Sequence, residues 1–297
     1  MALNKGDWDA AEPHLGTAAA IAEEVFGPRD TRRVGSLLML GRFYMFRKQF
    51  ALAEDQFQMA LDHQSKIYGT NRIEIAGCLL YLGEVNLQQK KADAAEALFA
   101  RAKKIIEINQ GAFHANVALC LNGLAASRLL RKEYKEAEPL FQQALRLAER
   151  QARRVVWEAG DPAVYGGGFA IEEGSAKLPL AVAILLNLST VHAELNRMAE
   201  AEADLRKALK LAEEATGPKG RLAFLVLSQL ALVSAKNNKP ADAGASLDRA
   251  LAVLAGFPAT QQPFLVSNAE AIIEAAKMLG RTADEAKLRK LKSELVP

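Results

Sequence analysis

Cysteine is nearly absent: two residues in 297 cannot build the disulfide framework of a small secreted domain. Aromatics make up only 6% of the chain, so close helix–helix contact through alanine must form much of the core. Long apolar runs are missing too. The longest, LPLAVAILL at 178–186, has nine residues and stops at Asn187, whereas a membrane-spanning helix needs roughly 20. The opening segment, MALNKGDWDAAE, lacks the charged-then-apolar order of a secretory signal. Charge of one sign is also lacking. Thirty-eight basic residues face 35 acidic ones, net +3, and no block of five like charges argues for a nucleic-acid partner.

What is present is an ordinary folded composition, 50% hydrophobic and 25% charged, in a chain about twice the usual single-domain length. Self-comparison explains that length. AEPLF at 137–141 is preceded at steps of 42 by AEALF at 95–99, AEDQF at 53–57 and AEPHL at 11–15. The next match, AEADL at 201–205, lies 64 on, which is 42 plus an insertion of 22. AGASL at 243–247 and a weaker EAKL at 285–288 follow. The anchor alanines are therefore Ala11, Ala53, Ala95, Ala137, Ala201 and Ala243, with Ala286 as the expected seventh.

Four after the first six anchors stand Leu15, Phe57, Phe99, Phe141, Leu205 and Leu247, and seven after them always an alanine. Offsets of 0, 4 and 7 make one stripe of an α-helix. Thirteen before five of the anchors stand Leu40, Leu82, Leu124, Leu188 and Leu230. Twelve before stand the small residues Gly41, Gly83, Ala125, Ser189 and Ala231. A large residue that fills the gap beside a small one that lets backbones approach predicts a two-helix unit.

The segment LNGLAASRLLRKEYKEAEPLFQQALRLAE at 121–149 resembles the tetratricopeptide repeat (TPR), and the 42-residue period is similar to its kinesin-light-chain-like variant. The resemblance implies an all-α fold, a right-handed α-solenoid (superhelix) of TPR helical hairpins whose first helices line a concave groove for peptides or partner proteins. The expected organisation is a single array. A half repeat spans 6–27, and repeats follow at 31–69, 72–111 and 114–152. After an insertion loop at 153–176 come repeats at 177–217 and 219–257 and a degenerate capping repeat at 260–297. The half repeat has no first helix before it: the expectation is an excerpt of a longer array, and the alternative is that a partner covers that end.

If the resemblance holds, the groove rows lie fifteen, eleven and eight residues before each anchor. They place Leu38, Arg42, Met45, Leu80, Glu84, Leu87, Asn122, Leu129, Leu186 and Thr190 on the lining, with Asn187 beside them. That lining is apolar for a surface, which marks an interaction site, and Asn122 and Asn187 would fix a ligand's orientation. The alternative is that the rows are one residue out and are core. In the insertion, Trp157, Tyr165 and Phe169 are too apolar for a flexible linker. They either pack on neighbouring helices or grip a partner.

Chemistry is not signalled. GPKGR at 217–221 has the wrong spacing for a phosphate loop. His14, His63, His114 and His192 are scattered, without metal-ligand spacing. Cys78 and Cys120, one period apart, are read as buried inert thiols: equivalent sites on packed helices are roughly 8–10 Å apart, beyond the disulfide limit. The Glu after most anchors (Glu12, Glu54, Glu96, Glu138, Glu202) is read as structural, near a helix start where the dipole favours acid. The expectation is a non-enzymatic interaction scaffold without metal or cofactor, its partner a protein or peptide and not nucleic acid. The alternative is a ligand- or peptide-sensing domain of a larger bacterial regulator. The expected compartment is the cytoplasm, or the periplasm if the chain is part of an exported protein.

Overall fold

The computed structural model describes residues 31–154, 178–259, 261–267 and 269–294, together with His14, Gly16, Thr17 and Ile21. The chain divides into two compact units, 1–170 and 171–297. The division falls inside the stretch where the repeat spacing is interrupted. Trp157, Tyr165 and Phe169 lie outside the described residues, as does most of the expected half repeat, of which His14, Gly16, Thr17 and Ile21 are helical and exposed.

All regular structure among the described residues is helical. In the first unit, hairpins pair α1 (Thr31–Phe46) with α2 (Phe50–Tyr68), α3 (Ala76–Gln88) with α4 (Ala92–Gln110), and α5 (Ala115–Leu130) with α6 (Tyr134–Arg154). In the second unit α7 (Leu178–Glu194) pairs with α8 (Met198–Thr216), and α9 (Arg221–Lys236) with α10 (Pro240–Ala255). A short α11 (Gln262–Ser267) precedes the last hairpin, α12 (Glu270–Met278) with α13 (Thr282–Ser293). This is the α-solenoid arrangement of helical hairpins that the resemblance implies.

The anchor stripe is the core of each hairpin. Ala53, Ala95, Ala137, Ala201 and Ala243, with the residues four and seven after each, are 0 to 3% exposed. The small residue twelve before each anchor makes that fit possible. A methyl group built on Gly41 would stand 2.5 Å from the Phe57 ring, and one on Gly83 2.7 Å from Phe99. Only glycine fits there, because the ring occupies the place a Cβ would take.

Hairpin turns follow one rule. The residue five before each anchor takes a left-handed conformation: Lys48, Lys90, Lys132, Asn196 and Asn238, with φ of 55 to 62°. It ends the first helix and reverses the chain. The second helices of three repeats stop at a positive-φ glycine sixteen after the anchor, Gly69, Gly111 or Gly217. The same place after Ala137 holds Arg153, and α6 runs on through Arg154.

The Glu row acts across repeats as well as at helix starts. Glu54 of α2 accepts from Gln89 Nε2 at 2.9 Å and Lys91 Nζ at 3.1 Å in the following hairpin turn. Glu96 of α4 takes Arg128 at 2.5 Å and also Arg131. Glu202 of α8 takes Asn237 and Lys239, both at 2.8 Å. These three second helices thus hold the turn of the next repeat, fixing the stacking step within their units. In the last hairpin the anchor place is Glu285 and not Ala286: its N–H bonds the Arg281 carbonyl as Ala243 N–H bonds Lys239, and Ala286 is exposed. The 42-residue step from Ala243 is therefore kept.

Candidate functional site

Each first helix is wrapped on most sides, by its own second helix and by the neighbouring repeat. One stripe of its surface is left. On α3 it comprises Gly77, Glu84, Leu87 and Gln88. On α5, which packs beside α3, it comprises Leu119, Asn122, Ala126, Leu129 and Leu130. On α1 the equivalents of Gly77, Glu84 and Leu87 are Gly35, Arg42 and Met45. The second unit repeats the arrangement with Leu186, Asn187, Thr190 and Ala193 on α7 and Leu225, Gln229 and Leu232 on α9.

Of the residues named from the sequence, Arg42, Met45, Glu84, Leu87, Asn122, Leu129, Leu186, Asn187 and Thr190 are half-buried on these stripes. Leu38 and Leu80 are not surface residues; at 7 and 8% exposed they belong to the core. The row fifteen before the anchor is turned roughly 40° round the helix from the row eleven before, toward the neighbouring repeat; Leu38 and Leu80 are covered there, whereas Asn122 and Leu186 of the same row stay half-buried. Sequence reasoning missed Leu130, 37% exposed, as well as Leu119, Leu225 and Gln229. These stand eighteen, fourteen or seven before an anchor, so the same helical period would have found them.

The stripes are mostly apolar, with few polar groups set among them. Thr190 Oγ1 donates to the Leu186 carbonyl at 3.1 Å, so its hydroxyl proton is used within the helix. Glu84 accepts one hydrogen bond, from Gln88 Nε2 at 3.0 Å. Burial pushes its carboxyl above the ordinary carboxylate value, with the Gln88 bond acting in the opposite direction. At the far end of the second unit, Gln229 and Leu232 of α9, Ile273 and Glu274 of α12 and Arg289 of α13 line a shallow pocket of about 340 Å³. Its rim is self-neutralised: Lys292 pairs with Glu270, and Arg289 with Glu285 at 2.7 Å.

Among the described residues no group of three or more His, Cys, Asp or Glu could hold a metal ion, and no helix is long and apolar enough to cross a membrane. Cys78 and Cys120 are free and 0% exposed, and burial pushes both thiols up to about 12. His192, 5% exposed, bonds Asp204 through Nδ1 at 2.7 Å, which ties α7 to α8.

Comparison with known proteins agrees with the fold. Tetratricopeptide-repeat models match residues 32–105, 74–150 and 182–220. No curated protein sequence matches the chain. Among solved structures, BtubC (BKLC) from P. vanneervenii has a TM-score of 0.57 at 18% identity, over 87% of this chain and 94% of its own. Kinesin light chain TPR-like repeats from Podosopora anserina give 0.52 at 15%, over 76% and 97%. NprR in complex with its cognate peptide NprX gives 0.66 at 14%, over 99% and 74%. Identities this low carry the fold alone.

Proposed function

Given that the chain belongs to the tetratricopeptide-repeat family, we propose that it is a non-enzymatic interaction scaffold that holds a segment of a partner protein against the exposed stripes of its first helices. The observation that carries this reading is the paired surface of α3 and α5. Leu87, Leu119, Leu129 and Leu130 stay partly open to solvent on two first helices that pack side by side. Each such side chain covered by a ligand is worth roughly 1.5–3 kcal/mol on transfer grounds, and ordering the ligand offsets much of that. Affinity of about micromolar order follows. Asn122, on the same stripe, is of the right chemistry to bond a peptide backbone.

A second reading is favoured by the likeness to NprR, whose solved complex contains its cognate peptide. In that reading the repeats are the peptide-sensing part of a larger regulator. Both readings use the same face, and both place the chain in the cytoplasm or another water-filled compartment.

The test is affinity capture with wild type and the pair Leu87→Glu and Leu129→Glu, after circular dichroism shows all proteins helical. Leu80 is unsuitable because it is core. Partners lost only from the variants support the face; the same partners on all three proteins would remove it. A regulator is told from a scaffold by a melting screen against short peptides, since a ligand bound only by the folded chain raises the midpoint.

A further inference from the structure

The carboxylate on this face sets what the bound segment must carry. Resting on the scaffold reading above, we propose that Glu84 is a specificity residue that selects a lysine or arginine side chain from the segment lying across α3 and α5.

Glu84 differs from the ion-paired glutamates around it, although Glu138 of α6 likewise takes a neutral donor, Gln142 Nε2 at 3.0 Å. Glu54 pairs with Lys91, Glu96 with Arg128 and Arg131, Glu107 with Lys103, and Glu133 with Arg128 and Arg131. Glu84 has one neutral donor, Gln88, and among the described residues no lysine or arginine pairs with it. It also joins no two repeats, whereas Glu54 and Glu96 do. It stands mid-stripe, between Gly77 and Leu87 on α3 and opposite Ala126, its equivalent on α5.

A half-buried charge with a single hydrogen bond is costly, and an opposite charge from a ligand relieves that cost. A carboxylate is acceptor-only and offers lone pairs that Gln88 does not fill. The apolar surroundings suit the same ligand group. Leu87, Leu129 and the open surface at Gly77 and Ala126 can receive the methylene stem of a lysine or arginine while its head reaches the carboxylate. An acidic residue in that place would meet like charge at short range. Arginine can engage both oxygens, which adds geometric selectivity.

The experiment uses the 297-residue chain and a positional-scanning library of acetylated nine-residue peptides. Each mixture fixes Lys, Arg, Asp, Glu or Leu at one position, and binding is read by fluorescence polarisation. At one position the Lys and Arg mixtures should bind wild type about 10-fold or more tighter than the Asp and Glu mixtures. Glu84→Gln, which keeps the shape, should erase that preference while leaving Leu-fixed mixtures bound. Glu84→Lys should reverse it. A basic preference absent from wild type, or unchanged in Glu84→Gln, overturns the assignment. Leu87→Glu separates the two levels. If it leaves all binding intact, or if no mixture binds wild type, the face itself is wrong and the Glu84 role falls with it. If it abolishes binding while Glu84→Gln changes nothing, only the Glu84 role fails.

Discussion

Phe57 lies flat on Tyr81, ring centroids 4.8 Å apart and planes 11° from parallel. Phe57 comes from the second helix of one repeat and Tyr81 from the first helix of the next, so the stack is an inter-repeat bond. One repeat on, the place of Tyr81 is taken by Gly123, and the Phe99 ring fills the space a side chain would need. The same interface is thus closed in two ways, ring on ring or ring on bare backbone.

Gly123→Ala is expected to destabilise the protein even though alanine is the better helix former. The new methyl would stand 2.5 Å from the Phe99 ring. Overpacking costs about 1–3 kcal/mol, against a propensity gain of about 1 kcal/mol. Urea unfolding decides the sign; a higher midpoint in the variant would show that the ring can move aside.

Lys90→Gly should stabilise. Lys90 sits at φ 61°, where a side chain costs about 1–2 kcal/mol. Glycine removes that strain but gives back about 0.4–1 kcal/mol through the freer unfolded chain. A net gain of about 0.5–1 kcal/mol is expected from these terms, read as a higher melting midpoint. A lower midpoint would mean the lysine side chain makes a contact worth more than the strain.

Glu202→Gln should cost about 1–3 kcal/mol at neutral pH, because it weakens charge-assisted bonds at a site 4% exposed. Burial opposes the Glu202 charge, but the Lys239 and Asn237 hydrogen bonds outweigh it and hold the carboxyl below its ordinary value. With the folded pKa below the unfolded one, near 4.3, this contribution is present above that value and lost as pH falls through the folded pKa. Wild type should therefore lose more stability than the variant between neutral and acid pH. Parallel curves would show that the clasp adds nothing.

Cys78 and Cys120 should resist a thiol reagent in the native protein at pH 8 and both react once it is unfolded in urea. Their thiols, pushed up to about 12 by burial, leave almost no thiolate at that pH. Rapid labelling of either cysteine without denaturant would contradict the closed core drawn here.

How much of this was readable from residues alone varies with the kind of signal. Ala53, Phe57 and Ala60 recur as an Ala, Phe or Leu, Ala stripe in the five full repeats, because the core of a stacked hairpin demands the same sizes at the same places. The candidate face is a different case. Leu80 and Leu87 look alike in a sequence, yet one is core and the other half-open. The difference is a turn of the helix by a few tens of degrees against a neighbour that is not on the same hairpin. Glu84 and Glu96 also read alike. Only packing shows that Glu96 meets two arginines from the next repeat while Glu84 meets one glutamine.

The order of small and large residues determined by itself that this protein is an all-helical array of hairpins, since period and volume are local properties written into each repeat. Tertiary structure decided what the period cannot carry. It set which side of each first helix stays open and which glutamates become clasps. It also kept the anchor of the last hairpin at Glu285, and divided the chain into two units where the repeat spacing breaks. Those outcomes depend on contacts between residues 32 to 37 positions apart, and on the space a neighbouring repeat leaves, neither of which a single repeat encodes.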